Sequence, residues 1–216
     1  MRKSILSVAL LVMAGCGTST ASGTTPKPTS TPTGGLLSGA RFSRPPRMTI
    51  NVNHHYTARV LTTDGAFTIT LLPKLAPVTV NNFVFLARHH YYDGNLFHRI
   101  IRTFMIQTGD PTGTGTGGPG YEFKDELSKN MRYTPGTVAM ANLGQKNTNG
   151  SQFFIVTGAD GLGLASSYTI FGKVTQGRNV VQKIAQTPVT TNIGTGEPSQ
   201  PLEKVLVVHI TIVEAR

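Results

Sequence analysis

A closed antiparallel β-barrel capped by two helices is the fold class that the sequence predicts, on three observations. From Tyr56 onward, short apolar and β-branched runs recur between Gly, Pro and Asp turn residues. Only two stretches place apolar residues at helical spacing. Finally, 24 Gly and 13 Pro with only 14% charged residues argue against a coiled coil or an all-helical chain. Many short strands with few helices close most readily into a barrel. The region from residue 47 to 216, about 170 residues, is long enough for one sizeable core.

The elements follow in order. Met1-Arg2-Lys3 is a basic start. Ile5 to Ala14 is a mostly apolar run of about ten residues, half of what a bilayer span requires. Ala14 and Gly15 then precede Cys16, the only cysteine of the chain. This layout predicts a secretory signal peptide over residues 1–15. Val12-Met13-Ala14-Gly15-Cys16 resembles a bacterial lipobox, which implies a diacylglycerol lipid on Cys16 and an extracytoplasmic, membrane-anchored protein. Met13 stands where that pattern prefers Leu. The alternative is an ordinary signal peptide cut nearby, leaving a free thiol. Residues 16–46, rich in Thr, Ser, Gly and Pro, cannot bury enough surface to offset their ordering entropy. They are expected to form a flexible tether with an r.m.s. span of ~30 Å.

Residues 47–216 are expected to form the folded domain. Tyr56 to Thr63 and Ala66 to Leu72, flanking Asp64-Gly65, predict a hairpin with a two-residue turn. Ala76-Pro77 opens a helix with Pro at its first position. Val80, Phe83, Val84 and Ala87 share its apolar face, and Tyr91 to Gly94 end the run. Phe97 to Gln107 is strand-like, and a Gly-rich loop runs from Thr108 to Gly120. Thr137–Ala141, Gln152–Val156 and Ile170–Val174 are further strands, Asn179–Ala185 is a second helix, and Val205–Val213 is a closing strand.

Composition limits the chemistry. Twenty basic against ten acidic residues give a net charge of +10, which favours anionic surfaces without choosing among them. Loss of residues 1–15 removes two basic side chains and leaves +8. No aromatic–basic stacking platform accompanies the charge, so no nucleic-acid partner is expected. A single Cys excludes an internal disulfide and a Cys-based zinc cluster. Gly113-x-Gly115-x-x-Gly118 formally matches a dinucleotide fingerprint, but no amphipathic helix follows it. The adjacent pairs His54-His55 and His89-His90 cannot both aim at one metal from a strand, whose neighbours face opposite sides. No metal and no cofactor is therefore expected. Neither a Gly-x-Ser-x-Gly elbow nor a second Cys supports nucleophilic hydrolysis.

Two segments carry more information. One is Phe97-His98-Arg99-Ile100-Ile101-Arg102-Thr103-Phe104-Met105-Ile106-Gln107-Thr108-Gly109-Asp110. The other is Met140-Ala141-Asn142-Leu143-Gly144 with Asn147-Thr148-Asn149-Gly150-Ser151-Gln152-Phe153-Phe154-Ile155. Taken alone, Arg99 in an apolar run fits a buried Arg satisfied by carbonyls. Together the segments resemble the signature stretches of the cyclophilins, peptidyl-prolyl cis-trans isomerases, and the likeness runs from about Tyr56 to Val213. It implies an eight-stranded barrel closed by two helices and an isomerase acting on proline-containing peptide segments; with the signal peptide, the expected partners are such segments of unfolded or exported proteins, and a monomer is expected. It implies Arg99 as the catalytic Arg, with Gln107 holding Arg and substrate. Phe104, Met105, Phe154 and Leu164 match the apolar proline pocket. Ala141, Asn142 and Gln152 match the groove for the substrate backbone. Tyr168 takes a pocket position that often holds His in that family. Lys146 reads as an insertion, Gly163 falls near the place of a frequent Trp, and Arg102-Thr103 replaces a frequent Pro-Gly. A non-catalytic peptide-binding module using the same groove is the competing reading; it would not require Arg99.

Overall fold

The computed structural model describes residues 41–130 and 132–216. The expected signal peptide, Cys16 and most of the expected tether lie outside these residues. Strand β1 (His55–Thr62) buries every second side chain, namely Tyr56, Ala58, Val60 and Thr62. Strand β2 (Gly65–Leu71) does the same with Phe67, Ile69 and Leu71. This is the period-2 pattern of a sheet with one face in the core. They pair antiparallel down to Thr62–Gly65, which leaves Thr63-Asp64 as the two-residue turn. The turn falls one residue earlier than Asp64-Gly65. Gly65 still supplies the positive φ, 129°, as the first residue of β2.

Helix α1 (Pro77–Arg88) begins with Pro at its first position, and its N-cap Ala76 offers no side-chain acceptor. The missing cap comes from elsewhere in the chain. The Glu126 carboxylate accepts hydrogen bonds from Val78 N (3.0 Å), Thr79 N (2.8 Å) and Thr79 Oγ1 (2.8 Å). A negative charge there also complements the positive end of the helix dipole.

The run from Phe97 to Gln107 is two strands rather than one. Strands β3 (Arg99–Ile101) and β4 (Met105–Thr108) form a tight hairpin across Arg102–Phe104. Strands β5 (Thr137–Met140), β6 (Phe153–Val156) and β7 (Ile170–Gln176) follow, then helix α2 (Arg178–Ala185). A hairpin of β8 (Val189–Thr191) and β9 (Pro198–Pro201) has no counterpart in the sequence expectations, because its strands are short, polar and proline-bounded. Strand β10 (Val207–Ala215) ends the chain's ordered pairing.

Eight strands form one antiparallel sheet in the order β10-β1-β2-β7-β5-β6-β4-β3. The expectation of a closed barrel is corrected here: the sheet curls into a half-barrel, and β3 does not pair with β10. Strand β3 has only three residues, and β10 runs out along β1 instead. The seam is spanned by an isolated bridge, Leu96–Leu206. Hydrogen bonds from Gly94 N to Val207 O (2.7 Å), Val207 N to Asn95 O (2.9 Å) and Phe97 N to Val205 O (2.9 Å) flank it.

Burial divides into two apolar clusters. The larger lies inside the curl of the sheet, where Phe83 of α1 meets Phe153 of β6 and Phe171 of β7 and where α2 adds Val181, Ile184 and Ala185. The smaller gathers Met105, Tyr133, Ala139, Phe154, Val156 and Ile170 on the opposite face of β4, β5 and β6. Because α1 relies on a cap from a distant loop, replacing Glu126 with Ala should cost about 1–2 kcal/mol. That corresponds to a fall in Tm of roughly 2–8 °C, measurable by thermal unfolding of the variant beside the parent.

Candidate active site

The register of four strands builds the site. Arg99 lies opposite Gln107, Gln107 opposite Phe154, and Phe154 opposite Ala139. This row crosses β3, β4, β6 and β5 on the outer face. The adjoining row, Ile100, Ile106, Ile155 and Val138, belongs to the core cluster inside. Alternation along each strand therefore sends an Arg and a Gln outward from an otherwise apolar run.

Arg99 is gripped on one edge. Its Nε donates to Glu197 Oε2 (2.6 Å) and its Nη2 to Glu197 Oε1 (2.8 Å). This is the two-pronged pairing for which guanidinium geometry is suited. Glu197 arrives from the loop of the β8–β9 hairpin. The other edge turns toward the groove. Nη1 donates to Gln107 Oε1 (3.4 Å) and approaches Met105 Sδ (3.9 Å), while Cζ stands 5.9 Å from the Phe104 ring centre. The hydrogen bonds from Arg99 hold the Glu197 carboxyl below the usual glutamate range, outweighing the opposing effect of its partial burial. Burial pushes the neighbouring His98 imidazole down, so it adds no second cation beside the guanidinium at neutral pH.

Gln107 is oriented from its far side. Its Nε2 donates to Gln152 Oε1 (2.9 Å), and Gln152 Nε2 donates to Gly115 O and Gly117 O (both 2.9 Å). Asp110 in turn knots that Gly-rich loop. Its carboxylate accepts from Thr112 N and Oγ1 (both 2.7 Å), Gly115 N (2.7 Å) and Gly117 N (3.0 Å). Burial raises the Asp110 pKa, but these hydrogen bonds outweigh it and hold the carboxyl ionised. Gly117 must lack a side chain, since a Cβ there would strike the Asp110 carboxylate.

The apolar floor is the smaller cluster. Met105 and Phe154 are buried in it, and Phe104, Ala141, Leu164 and Tyr168 pack against it half-buried. Tyr168 meets Phe154 edge-on at 5.4 Å. Tyr133 fixes Tyr168 from below: its hydroxyl donates to Tyr168 O (2.9 Å) and accepts from Tyr168 N (3.1 Å). Beside the floor is a cavity of about 460 Å³, lined by Gln107, Ala141, Asn142, Gln152, the Gly115–Gly120 stretch and Arg41. Asn142 stands apart from the Arg99 network. Its Nδ2 donates to Ser167 O (3.1 Å) and its Oδ1 accepts from Gly144 N (3.0 Å), so it shapes the cavity rim. The structure thus gathers Arg99, Gln107, Phe104, Met105, Gln152, Phe154, Leu164 and Tyr168 about one groove, with Ala141 and Asn142 on the adjoining wall. Glu197, Asp110 and Tyr133 have no assigned role in the sequence expectations. Asp110 closes the first signature segment and was readable as a loop anchor; Glu197 sits in a Gly/Thr-rich turn with no motif around it.

A family model described as cyclophilin type peptidyl-prolyl cis-trans isomerase matches residues 57–212. A mouse peptidylprolyl isomerase domain and WD repeat-containing protein is 46% identical over 160 residues, covering 72% of this chain and 24% of that one. A peptidyl-prolyl cis-trans isomerase-like protein of Emericella nidulans is 43% identical over 158 residues, covering 71% of this chain and 93% of that one. The match therefore spans about a quarter of the first relative and nearly all of the second. A crystal structure of a cyclophilin type isomerase from Cryptosporidium parvum superposes with a TM-score of 0.68 at 33% identity, over 74% of this chain and 98% of that one. The same parasite protein, crystallised in the presence of the dipeptide Ala-Pro, gives 0.66.

The ion pair makes a direct prediction. With its pKa depressed, Glu197 stays ionised as pH falls through the ordinary glutamate range and protonates only below it. Carboxyl carbon NMR should place the Glu197 midpoint below that range in the parent and back within it in Arg99→Ala. Equal midpoints in the two proteins would mean that the pair does not form in solution.

Proposed function

The chain belongs to the cyclophilin-type peptidyl-prolyl cis-trans isomerases, and we propose that it accelerates X–Pro isomerisation with Arg99 as the catalytic group. The observation that carries this reading is the groove-facing edge of Arg99, whose Nη1 reaches Gln107 beside an apolar floor while Glu197 holds the opposite edge. The uncatalysed exchange faces a barrier of ~18–20 kcal/mol set by amide resonance. No covalent bond has to form or break. The twisted amide loses resonance, and its prolyl nitrogen becomes pyramidal and basic. A guanidinium remains charged at any working pH and can donate to that nitrogen.

Phe104, Met105, Phe154 and Leu164 supply the surface on which the proline ring rests while the preceding carbonyl swings. Gln107 and Gln152 present amide groups to the substrate backbone alongside Ala141 and Asn142. Binding of the ring is the same for planar and twisted forms, so it lowers KM without lowering the barrier. The donor favours the twisted form, so its removal acts on the rate. Losing one preorganised donor typically costs ~2.7–4 kcal/mol, a factor of ~100–1,000. Arg99→Ala should lower kcat/KM by about that much in a coupled or exchange-NMR assay. Peptide affinity and circular dichroism should change little. A folded Arg99→Ala protein with near-native turnover would overturn Arg99 as the catalytic group; a parent that binds peptide without turnover would favour a peptide-binding module.

We further propose that the domain, residues 47–216, works outside the cytoplasm on exported proteins, held to a membrane by a lipid on Cys16. Support comes from residues 1–16 alone: the basic start, the short apolar run and Val12-Met13-Ala14-Gly15-Cys16. The family match begins well beyond this stretch, and the relatives described above are eukaryotic. Two acyl chains anchor stably where one binds only reversibly. Cys16→Ser should therefore shift the protein from the membrane to the soluble or secreted fraction. Retention through a carbonate wash would refute the lipid anchor and leave the isomerase reading untouched.

A further inference from the structure

A second constellation lies away from the groove, at the seam of the half-barrel. His90 Nδ1 stands 3.0 Å from Asp93 Oδ2. His209 Nδ1 stands 3.2 and 3.1 Å from the two oxygens of the same carboxylate. The two imidazole rings lie 5.2 Å apart at 31°. One ligand atom from each of the three residues falls within 4.8 Å of the others. We propose that His90, Asp93 and His209 form a binding site for a borderline transition-metal ion, Zn²⁺ in the first instance, that staples the seam.

The donor set selects the ion class. Two imidazoles and one carboxylate suit Zn²⁺, Ni²⁺ or Cu²⁺, whereas Mg²⁺ and Ca²⁺ require several oxygens. Zn–N and Zn–O distances of about 2.0–2.2 Å put neighbouring ligand atoms of a tetrahedron about 3.3 Å apart. The two His–Asp separations of 3.0–3.2 Å are close to that edge, and the two imidazoles bring their ligand atoms within 4.8 Å of each other. An ion enters when each ring carries its proton on Nε2 and turns the Nδ1 lone pair inward, with the side chains adjusting around it. All three residues are exposed or half-buried, so the ion has an entry path and water can fill a fourth position.

The backbone supports the assignment. His90 follows the end of α1 with φ 58°, one of two non-glycine residues at positive φ among the described residues. Its N donates to Ala87 O, and the next residue, Tyr91, donates to Leu86 O. This is the helix-ending turn in which glycine is the unstrained choice. Here the turn carries an imidazole at a conformational cost, and the imidazole points at Asp93. Sequence comparison of neighbouring histidines does not reveal the site, because the second ring comes from β10 at the far end of the chain.

The location gives the ion a task. Asp93 immediately precedes residues 94–97, which bond to residues 205–207 across the gap between β3 and β10. His209 lies two residues further along β10 from Val207. A bound ion would join the α1–β3 connection to β10 where the sheet has no regular ladder.

The test uses the full chain stripped with a chelator and titrated with ZnCl₂ alone. Calorimetry should show one ion per chain. At about 100 times the dissociation constant, Zn²⁺ should raise Tm by roughly 5–10 °C, and Mg²⁺ should not. Asp93→Asn and His209→Ala should lose the zinc response. His90→Gly is the decisive variant: relief of the positive φ should make it more stable than the parent without zinc, yet it should lose the zinc response. A parent without a zinc response overturns the proposal. So does a response that survives in His90→Gly and Asp93→Asn, which would assign the ion to other histidines.

Discussion

The pairing register of β3, β4, β6 and β5 is the constraint on which both core and groove depend. Along these strands one row, Ile100–Ile106–Ile155–Val138, faces the interior, and the next, Arg99–Gln107–Phe154–Ala139, faces out. A slip of one residue between any two strands would exchange the rows, burying Arg99 and exposing isoleucines. Burial of the inner row penalises that slip heavily, since each large aliphatic side chain contributes roughly 1.5–3 kcal/mol. The apolar pattern that stabilises the fold therefore also sets the row that carries Arg99 and Gln107 outward.

Within the outer row, polar and apolar partners have different tasks. The floor formed by Met105, Phe154 and their neighbours can hold a proline ring, whose three methylenes are worth roughly 2 kcal/mol when buried. That is far less than the resonance barrier and is felt equally by both isomers. In the proposed mechanism, discrimination in favour of the twisted amide falls to the Arg99 donor. The Arg99–Glu197 pair is about one-third exposed on each side, so water screens it and its contribution to stability is small. Its effect is geometric: it occupies the Nε–Nη2 edge of the guanidinium and turns Nη1 toward Gln107 and the groove. Asp110 does the corresponding job from the other direction, through the Gly-rich loop, Gln152 and Gln107.

Local periodicity made much of this legible. The first hairpin, both helices and strands β5, β6, β7 and β10 were all readable, because apolar spacing and Pro or Gly punctuation are short-range signals. The break between β3 and β4 was hidden, since Phe97 to Gln107 is apolar on both sides of the Arg102–Phe104 turn. Strands β8 and β9 were hidden by their Thr, Pro and Ser content. The open seam was not readable, because closure depends on where β10 runs relative to β3 and not on either sequence. Most groove residues were named from the two signature segments. Glu197 was not, because its pairing with Arg99 joins distant parts of the chain and follows no spacing rule. The Glu126 cap and the His90–Asp93–His209 cluster escaped for the same reason.

The departures from the family pattern fall where this architecture tolerates them. Lys146 and Gly163 are exposed, as are Arg102 and Thr103 in the β3–β4 turn. None enters the inner row or touches the guanidinium. The Thr103 hydroxyl hydrogen-bonds the Asp160 carboxylate, tying the turn to the short 3-10 segment Ala159–Gly163 that precedes Leu164. Tyr168 presents its ring edge to Phe154 while Tyr133 holds its backbone. Sequence change at these points alters the walls and mouth of the groove while leaving the register that fixes Arg99 over the floor. Variation in the mouth of the groove can thus be separated physically from the position of Arg99, because the varied residues lie in turns and loops while Arg99 is set by the strand register.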